Sequence, residues 1–189
     1  MDMNKLPDYS DYLNKPGMLE YIESEWQKSN IHMHQADFVI KAVQQYGIKS
    51  IIEFGCATGN LAMKLANSPD VPPKLKYKGV DTNDAALEIA RNKVPQFTFV
   101  NGDIRTFKGK ADLVVCFALF KHFSLAELPE IAARAKSMGK YLIFDMPYAP
   151  EAFDDGTEFH HTWAPIDFFG FAPIAVDQKS NYIEPKYLV

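Results

Sequence analysis

Cysteine is scarce. Cys56 and Cys116 are the two in 189 residues, too few for a disulfide framework and without the clustered spacing of a zinc site. They read as reduced thiols. Long apolar runs are also missing: the longest clear one, Leu113 to Phe120, has eight residues, against the roughly 20 needed to cross a bilayer. The start, Met1 to Ser10, is polar and holds Pro7 and two aspartates, unlike the basic-then-apolar order of a secretory signal. A cytoplasmic location without a membrane partner is therefore expected. Nor is there a basic surplus, since 20 Lys and Arg face 24 Asp and Glu for a net charge of -4, so no nucleic-acid partner is expected. Repeats and low-complexity tracts are absent, and nothing in the chain bears on its oligomeric state.

What is present fits one domain, because a 47% hydrophobic content over this length supplies a sizeable core. Lys15-Pro16-Gly17 breaks the chain before an amphipathic helix from about Met18 to Trp26. A second helix runs through Ala36, Val39 and Val43 to a stop at Gly47. From Ser50 onward short apolar runs alternate with helical ones. Strands are expected at Ile51–Phe54, Tyr77–Val80, Phe97–Val100, Asp112–Ala118 and Tyr141–Phe144. Helices are expected at Asn60–Asn67, at Asp84–Lys93, and from a Ser124/Glu127 capping box to about Lys136, with Pro129 as a blemish in its first turns. Two further strands, Ala172–Val176 and Tyr182–Val189, complete the pattern. The fold class is α/β: a single-domain, open, mostly parallel seven-stranded sheet with helices on both faces. Residues 1–47 form a helical cap, 48–145 the binding core, and 146–189 a loop and the last strands. In such sheets ligands sit beyond the carboxyl ends of the strands where the strand order reverses, which directs attention to the residues just after Phe54, Val80, Val100, Cys116 and Phe144.

After the first strand the chain reads Glu53-Phe54-Gly55-Cys56-Ala57-Thr58-Gly59-Asn60, a turn of small residues that opens a helix and offers unpaired amides to a ligand. The dinucleotide fingerprint fails, because Ala57 and Asn60 stand where it needs glycine. Asp81 closes the second strand, where a carboxylate can accept from a ribose diol, although Asp81-Thr82-Asn83-Asp84 also reads as a helix-capping loop. Asp103 follows the third strand, with a turn aspartate as its simpler reading.

Taken together, these strand ends resemble the class I S-adenosylmethionine-dependent methyltransferases, whose first motif is an acidic residue followed by small residues at alternate positions. Glu53, Gly55, Ala57 and Gly59 match that spacing, with Ala57 where the family more often has glycine. The resemblance implies a Rossmann-like fold, S-adenosylmethionine as cofactor and a role for each position. Gly55, Cys56, Ala57 and Gly59 would wrap the methionine portion, with Glu53 orienting the loop or the amino group. Asp81, with Thr82 beside it, would take the ribose hydroxyls. Asp103 and the Ile104 amide would meet the adenine, and Phe117 would lie beside the methionine. Cys56 and Cys116, at the ends of neighbouring strands, are expected to approach each other near the cofactor.

On the acceptor side a base is needed if the nucleophile is a hydroxyl or a protonated amine. His122, after the fourth strand, and His160 and His161, in the segment after the fifth, are the candidates. From Tyr141 to Gln178, 38 residues hold seven acids and no Lys or Arg, which favours a small neutral or cationic acceptor. Tyr9, Tyr12, Tyr21, Trp26, Phe120, Phe153, Phe159 and Trp163 are candidates for an aromatic lid, with satellite core as the simpler reading. Asp145-Met146-Pro147-Tyr148 resembles a motif of nucleic-acid amino methyltransferases, but it follows the wrong strand. The Tyr182/Lys186 pair has a short-chain dehydrogenase spacing that Pro185 breaks. His32 and His34 with the later histidines do not make a persuasive metal site, and no metal is expected. Two alternatives stand beside the methyltransferase reading: a non-catalytic cofactor-binding partner protein and an NAD(P)-dependent oxidoreductase.

Overall fold

The structure is a computed structural model that describes residues 15–28, 30–123, 126–145, 175–177 and 186–188. Two helices lead, α1 (Met18–Lys28) and α2 (Asn30–Tyr46), and Gly47 ends the second with a φ of 61°. The alternating core follows as β1 (Ser50–Phe54), α3 (Asn60–Asn67), β2 (Lys76–Asp81), α4 (Asp84–Lys93), β3 (Thr98–Asn101) and β4 (Ala111–Cys116). A short 3-10 turn (Phe120–His122), α5 (Leu128–Met138), β5 (Gly139–Asp145), β6 (Ala175–Asp177) and β7 (Lys186–Leu188) complete the described elements.

The strands form one seven-stranded sheet in the order β3-β2-β1-β4-β5-β7-β6. The first five pair in parallel, and β7 runs antiparallel between β5 and β6. The expected open α/β sheet is therefore present. From β1 the chain steps outward to β2 and β3, then returns to place β4 on the other side of β1. That reversal puts the ligand-binding crevice between the loops that leave β1 and β4.

Alternation along the central strands divides the core into two layers. Ile51, Leu113 and Val115 face a layer with α2, α3 and α4, built on Val39, Leu61 and Leu87. Ile52, Phe54, Val114 and Cys116 face the other, with Phe120, Leu128, Ile131 and Phe144. Side chains that alternate between faces and are apolar on both are the signature of a sheet buried on two sides. At the amino edge, Asp112 staples β1 to β4. Its carboxylate accepts from the Lys49 amide at 2.8 Å and the Ser50 amide at 3.0 Å, and these donors hold its carboxyl below the usual aspartate range.

Several expectations shift by a few residues. The helix expected from Ser124 begins at Leu128, with Glu127 as its N-cap and Pro129 in the first turn. There the missing proline N–H costs nothing, so Pro129 is a starter and not a blemish; Ser124 lies outside the described residues. Phe120 is fully buried against Phe144, with ring centroids 5.4 Å apart, and is core, not lid. Tyr21 on α1 is 56% exposed. Of the other lid aromatics, Tyr9, Tyr12, Phe153, Phe159 and Trp163 lie outside the described residues.

Gly59 couples fold to site. It has a φ of 75° at the start of α3, and a Cβ there would stand 2.9 Å from the Ala90 Cβ on α4. Gly59→Ala is expected to cost about 2 kcal/mol, from the left-handed backbone and the forced separation of two helices. Urea unfolding checks this, and an unchanged midpoint would contradict the packing.

Candidate active site

The loop after β1 starts with a close turn. Gly55 and Cys56 both donate their amides to the Val80 carbonyl, at 2.8 and 3.3 Å. Gly55 has a φ of 74°, and a Cβ on it would lie 3.3 Å from Leu119 Cδ1, so the loops after β1 and β4 touch here. Ala57 has a φ of 44°, an uncommon backbone for a residue with a Cβ. Its amide donates to Asp81 Oδ2 at 2.8 Å, while Asp81 Oδ1 accepts from the Asn83 amide at 2.9 Å. Asn83 in turn caps α4 by accepting from the Ala86 amide at 2.8 Å. Both readings of that tetrapeptide therefore hold: Asn83 is the cap, and Asp81 is turned toward the glycine loop.

The loop after β4 repeats the device. Ala118 has a φ of 50° and donates its amide to Asp145 Oδ1 at 2.6 Å, and Asp145 Oδ2 accepts from Gln35 Nε2 of α2 at 2.7 Å. Asp145 is 1% exposed. Neither Asp145 nor Gln35 is among the site residues expected from sequence, although Asp145 stands right after Phe144 at a strand end already marked for attention.

A third group braces the glycine loop from outside. Glu23 of α1 accepts from the Thr58 hydroxyl and from Asn60 Nδ2 at 3.0 Å, and pairs with Lys93 Nζ at 2.5 Å. Lys93 also donates to Asn60 Oδ1 at 2.7 Å. Burial alone would raise the Glu23 carboxyl; hydrogen bonds from Lys93, Thr58 and Asn60 and the Lys93 charge outweigh it and hold the group below its ordinary value.

Glu53 is buried beneath the loop and accepts from the Tyr77 hydroxyl. Desolvation pushes its pKa up to about 8, against the lowering effect of that bond, and the neighbouring Asp81 charge adds to the rise. Burial also raises Asp81, with amides from Asn83, Ala57 and Thr82 working the other way.

The remaining sequence candidates are placed as follows. Thr82 is exposed, and its carbonyl accepts from Asn101 Nδ2 at 3.1 Å. Both Asp103 oxygens are engaged by Arg105, through its amide at 2.7 Å and its guanidinium at 2.9 Å. Ile104 is buried, and its carbonyl accepts from Arg134 Nε at 2.5 Å. Phe117 is buried in the layer of α2 to α4. His122 is half-buried at the end of the 3-10 turn, its amide bonded to the Leu119 carbonyl at 3.0 Å. His160 and His161 lie outside the described residues. The two cysteines do not meet as expected: Cys56 packs in the layer of α2 to α4 and Cys116 in the layer of α5, on opposite faces of the sheet. Continued alternation from Phe54 would put Cys56 on the Cys116 face; the turn at Gly55, with a φ of 74°, takes it to the other one. Burial raises both thiols well above their ordinary value, which keeps them inert. Among the described residues no group of three His, Cys, Asp or Glu could hold a metal ion, and no helix is long and apolar enough to cross a membrane.

This geometry fits an adenosyl amino acid. The Asp81 carboxylate, fixed by the Ala57 and Asn83 amides, has the acceptor chemistry that a ribose hydroxyl needs, and the small residues Gly55 and Gly59 let a ligand approach the backbone at a helix start. The family model described as a methyltransferase domain matches residues 51–140. Over these residues the chain carries a methyltransferase domain, consistent with the class I S-adenosylmethionine-dependent enzymes. Among solved structures, magnesium protoporphyrin IX methyltransferase from Synechocystis PCC 6803 with bound SAH is similar at a TM-score of 0.73 and 19% identity, covering 95% of this chain and 96% of that one. An S-adenosylmethionine-dependent methyltransferase from Clostridium acetobutylicum ATCC 824 reaches a TM-score of 0.68 at 17% identity, covering 93% and 98% of the two chains. The amino pentose methyltransferase CalS10 from Micromonospora echinaspora reaches 0.60 at 22% identity, covering 72% of this chain and 60% of that one. None of the curated proteins matches the chain in sequence. The matched domain is that of a methyltransferase, and S-adenosylmethionine is its cofactor.

The buried acid of that motif gives a pH test. Because the Glu53 pKa rises from 4.5 to about 8 on folding, its contribution is fully present below pH 4.5 and is lost as pH climbs to about 8. The loss runs at no more than about 1.4 kcal/mol per pH unit. The stability of Glu53→Gln relative to the wild type should therefore increase across this window and level off above it. Urea unfolding at several pH values measures the difference; a constant difference would contradict the buried, proton-holding carboxyl.

Proposed function

We propose that this methyltransferase transfers the methyl group of S-adenosylmethionine to a small neutral or cationic acceptor, and that the core and acceptor side belong to one domain. The observation that carries the acceptor class is the distribution of charge. Asp81, Asp145 and Asp103, the last paired with Arg105, stand at the carboxyl edge of the parallel strands, and the segment from Tyr141 to Gln178 holds seven acids and no Lys or Arg. Lysines gather at the opposite edge, where Lys49, Lys76, Lys110 and Lys140 stand at or beside the first residues of β1, β2, β4 and β5. A field of this sign attracts cations and repels carboxylates and phosphates.

Bound S-adenosylmethionine supplies a methyl carbon already activated by its sulfonium. The chain's own task is then alignment and exclusion of water. In this reading Asp81 accepts from the ribose, the glycine loop wraps the methionine end, and Asp103 and Ile104 flank the adenine. His122 is the base candidate for an acceptor that must lose a proton, joined by His160 and His161 as sequence candidates. The likeness to a porphyrin methyltransferase and to an amino pentose methyltransferase supports the fold alone, so both acceptor types belong in the test.

Calorimetry with S-adenosylmethionine and SAH should show binding, and Asp81→Ala should weaken it at least tenfold, about 1.4 kcal/mol. Unchanged affinity in that variant would contradict the ribose assignment. A turnover panel of amino sugars, neutral hydroxyl compounds, porphyrin carboxylates and phosphorylated metabolites should give products among the first two classes. Products confined to the anionic classes would overturn the acceptor proposal, and binding without turnover on any of them would favour a non-catalytic cofactor-binding role.

A further inference from the structure

We infer that Asp145 is a positioning residue for the methionine end of the cofactor, the counterpart across the crevice of Asp81. The inference rests on the cofactor reading above. Its basis is a repeated geometry. Among the described residues, the non-glycine residues with positive φ are Ala57 and Ala118, one in each loop that borders the strand-order reversal. In both cases the alanine amide donates to a buried aspartate that ends the neighbouring outer strand: Ala57 to Asp81 of β2, Ala118 to Asp145 of β5. A left-handed backbone is unfavourable for alanine, so each loop shape depends on its carboxylate acceptor.

At Ala118 the turn has a visible consequence. Up to Phe117 the side chains alternate between the two layers, with Val115 and Phe117 on the α2 to α4 side and Cys116 on the α5 side. After Ala118 the alternation breaks: Leu119, which would follow Val115 and Phe117, packs with the α5 layer beside Phe120 and lies against Gly55. Releasing Ala118 would move Phe117 and Leu119 together, and these two flank the place where the resemblance puts the methionine portion. Both Asp145 oxygens already accept N–H groups, from Ala118 and Gln35. That arrangement suits a carboxylate that fixes backbone and ties α2 to the crevice, and it leaves proton transfer to other groups.

The test compares two ligands in calorimetry: SAH, and methylthioadenosine, which keeps the adenosine and lacks the amino acid. Asp145→Asn should weaken SAH roughly fivefold or more, as a left-handed turn without its charged acceptor implies, and leave methylthioadenosine within about twofold. Adding Ala118→Gly, which adopts the turn without strain, should restore SAH to within about twofold of the wild type. Equal losses for both ligands would mark a general structural role and overturn the inference. So would unchanged SAH affinity in Asp145→Asn, or failure of the glycine to restore it. If Asp145→Asn alone does not fold, the double variant carries the test: binding of both ligands near wild-type strength supports the inference, and loss of SAH binding overturns it. Absence of binding by the wild type would instead sink the cofactor assignment.

Discussion

Two amide-to-carboxylate hydrogen bonds govern the shape of the crevice on which everything else depends. Ala57 to Asp81 and Ala118 to Asp145 each hold a residue with a Cβ in a backbone state that it would otherwise leave. The sheet topology explains why the bonds occur where they do. Strand order reverses between β1 and β4, so the loops above these strands diverge to opposite layers and leave a gap. The aspartates come from the next strands outward, β2 and β5, and pull each loop back toward its own side. Leu119 against Gly55 then sets how close the loops come.

Around these bonds the site is braced from the amino-terminal helices. α2 reaches Asp145 through Gln35, and α1 reaches the glycine loop through Glu23 and its contacts to Thr58, Asn60 and Lys93. The cap is therefore tied to both loops by polar groups and not only by packing. Electrostatics adds a second bias: acids at the carboxyl edge and lysines at the amino edge follow the preference of helix termini for opposite charge and together give the site a negative field. Glu53, whose carboxyl is pushed up to about 8 by burial and the Asp81 charge against the bond from Tyr77, adds little to that field.

Much of this was legible in the residues. Helices at Asn60–Asn67 and Asp84–Lys93 were read to the residue, because clear stops flank both apolar stripes. The order of strands followed from the alternation of elements, and Gly55, Ala57 and Asp81 were found by asking what stands at the carboxyl ends. Asp145 was passed over because its neighbours Met146, Pro147 and Tyr148 invited comparison with another motif, and rejecting the motif set aside the residue as well. Gln35 and Glu23 had no local signal: each is a polar residue on an amphipathic helix whose partner lies at least 35 positions away. The cysteines misled for a related reason, since nearness of strand ends says nothing of which face a side chain takes. Asp103 was placed correctly along the chain, yet its engagement by Arg105 two residues on depends on loop geometry.

A crystal structure of the protein grown with SAH tests the central claim most directly. The account predicts the ligand between the loops after β1 and β4, its ribose on the Asp81 carboxylate, with Ala57 and Ala118 still at positive φ and still bonded to their aspartates. SAH bound elsewhere, or bound there with both alanines relaxed to negative φ and the aspartates released, would contradict it.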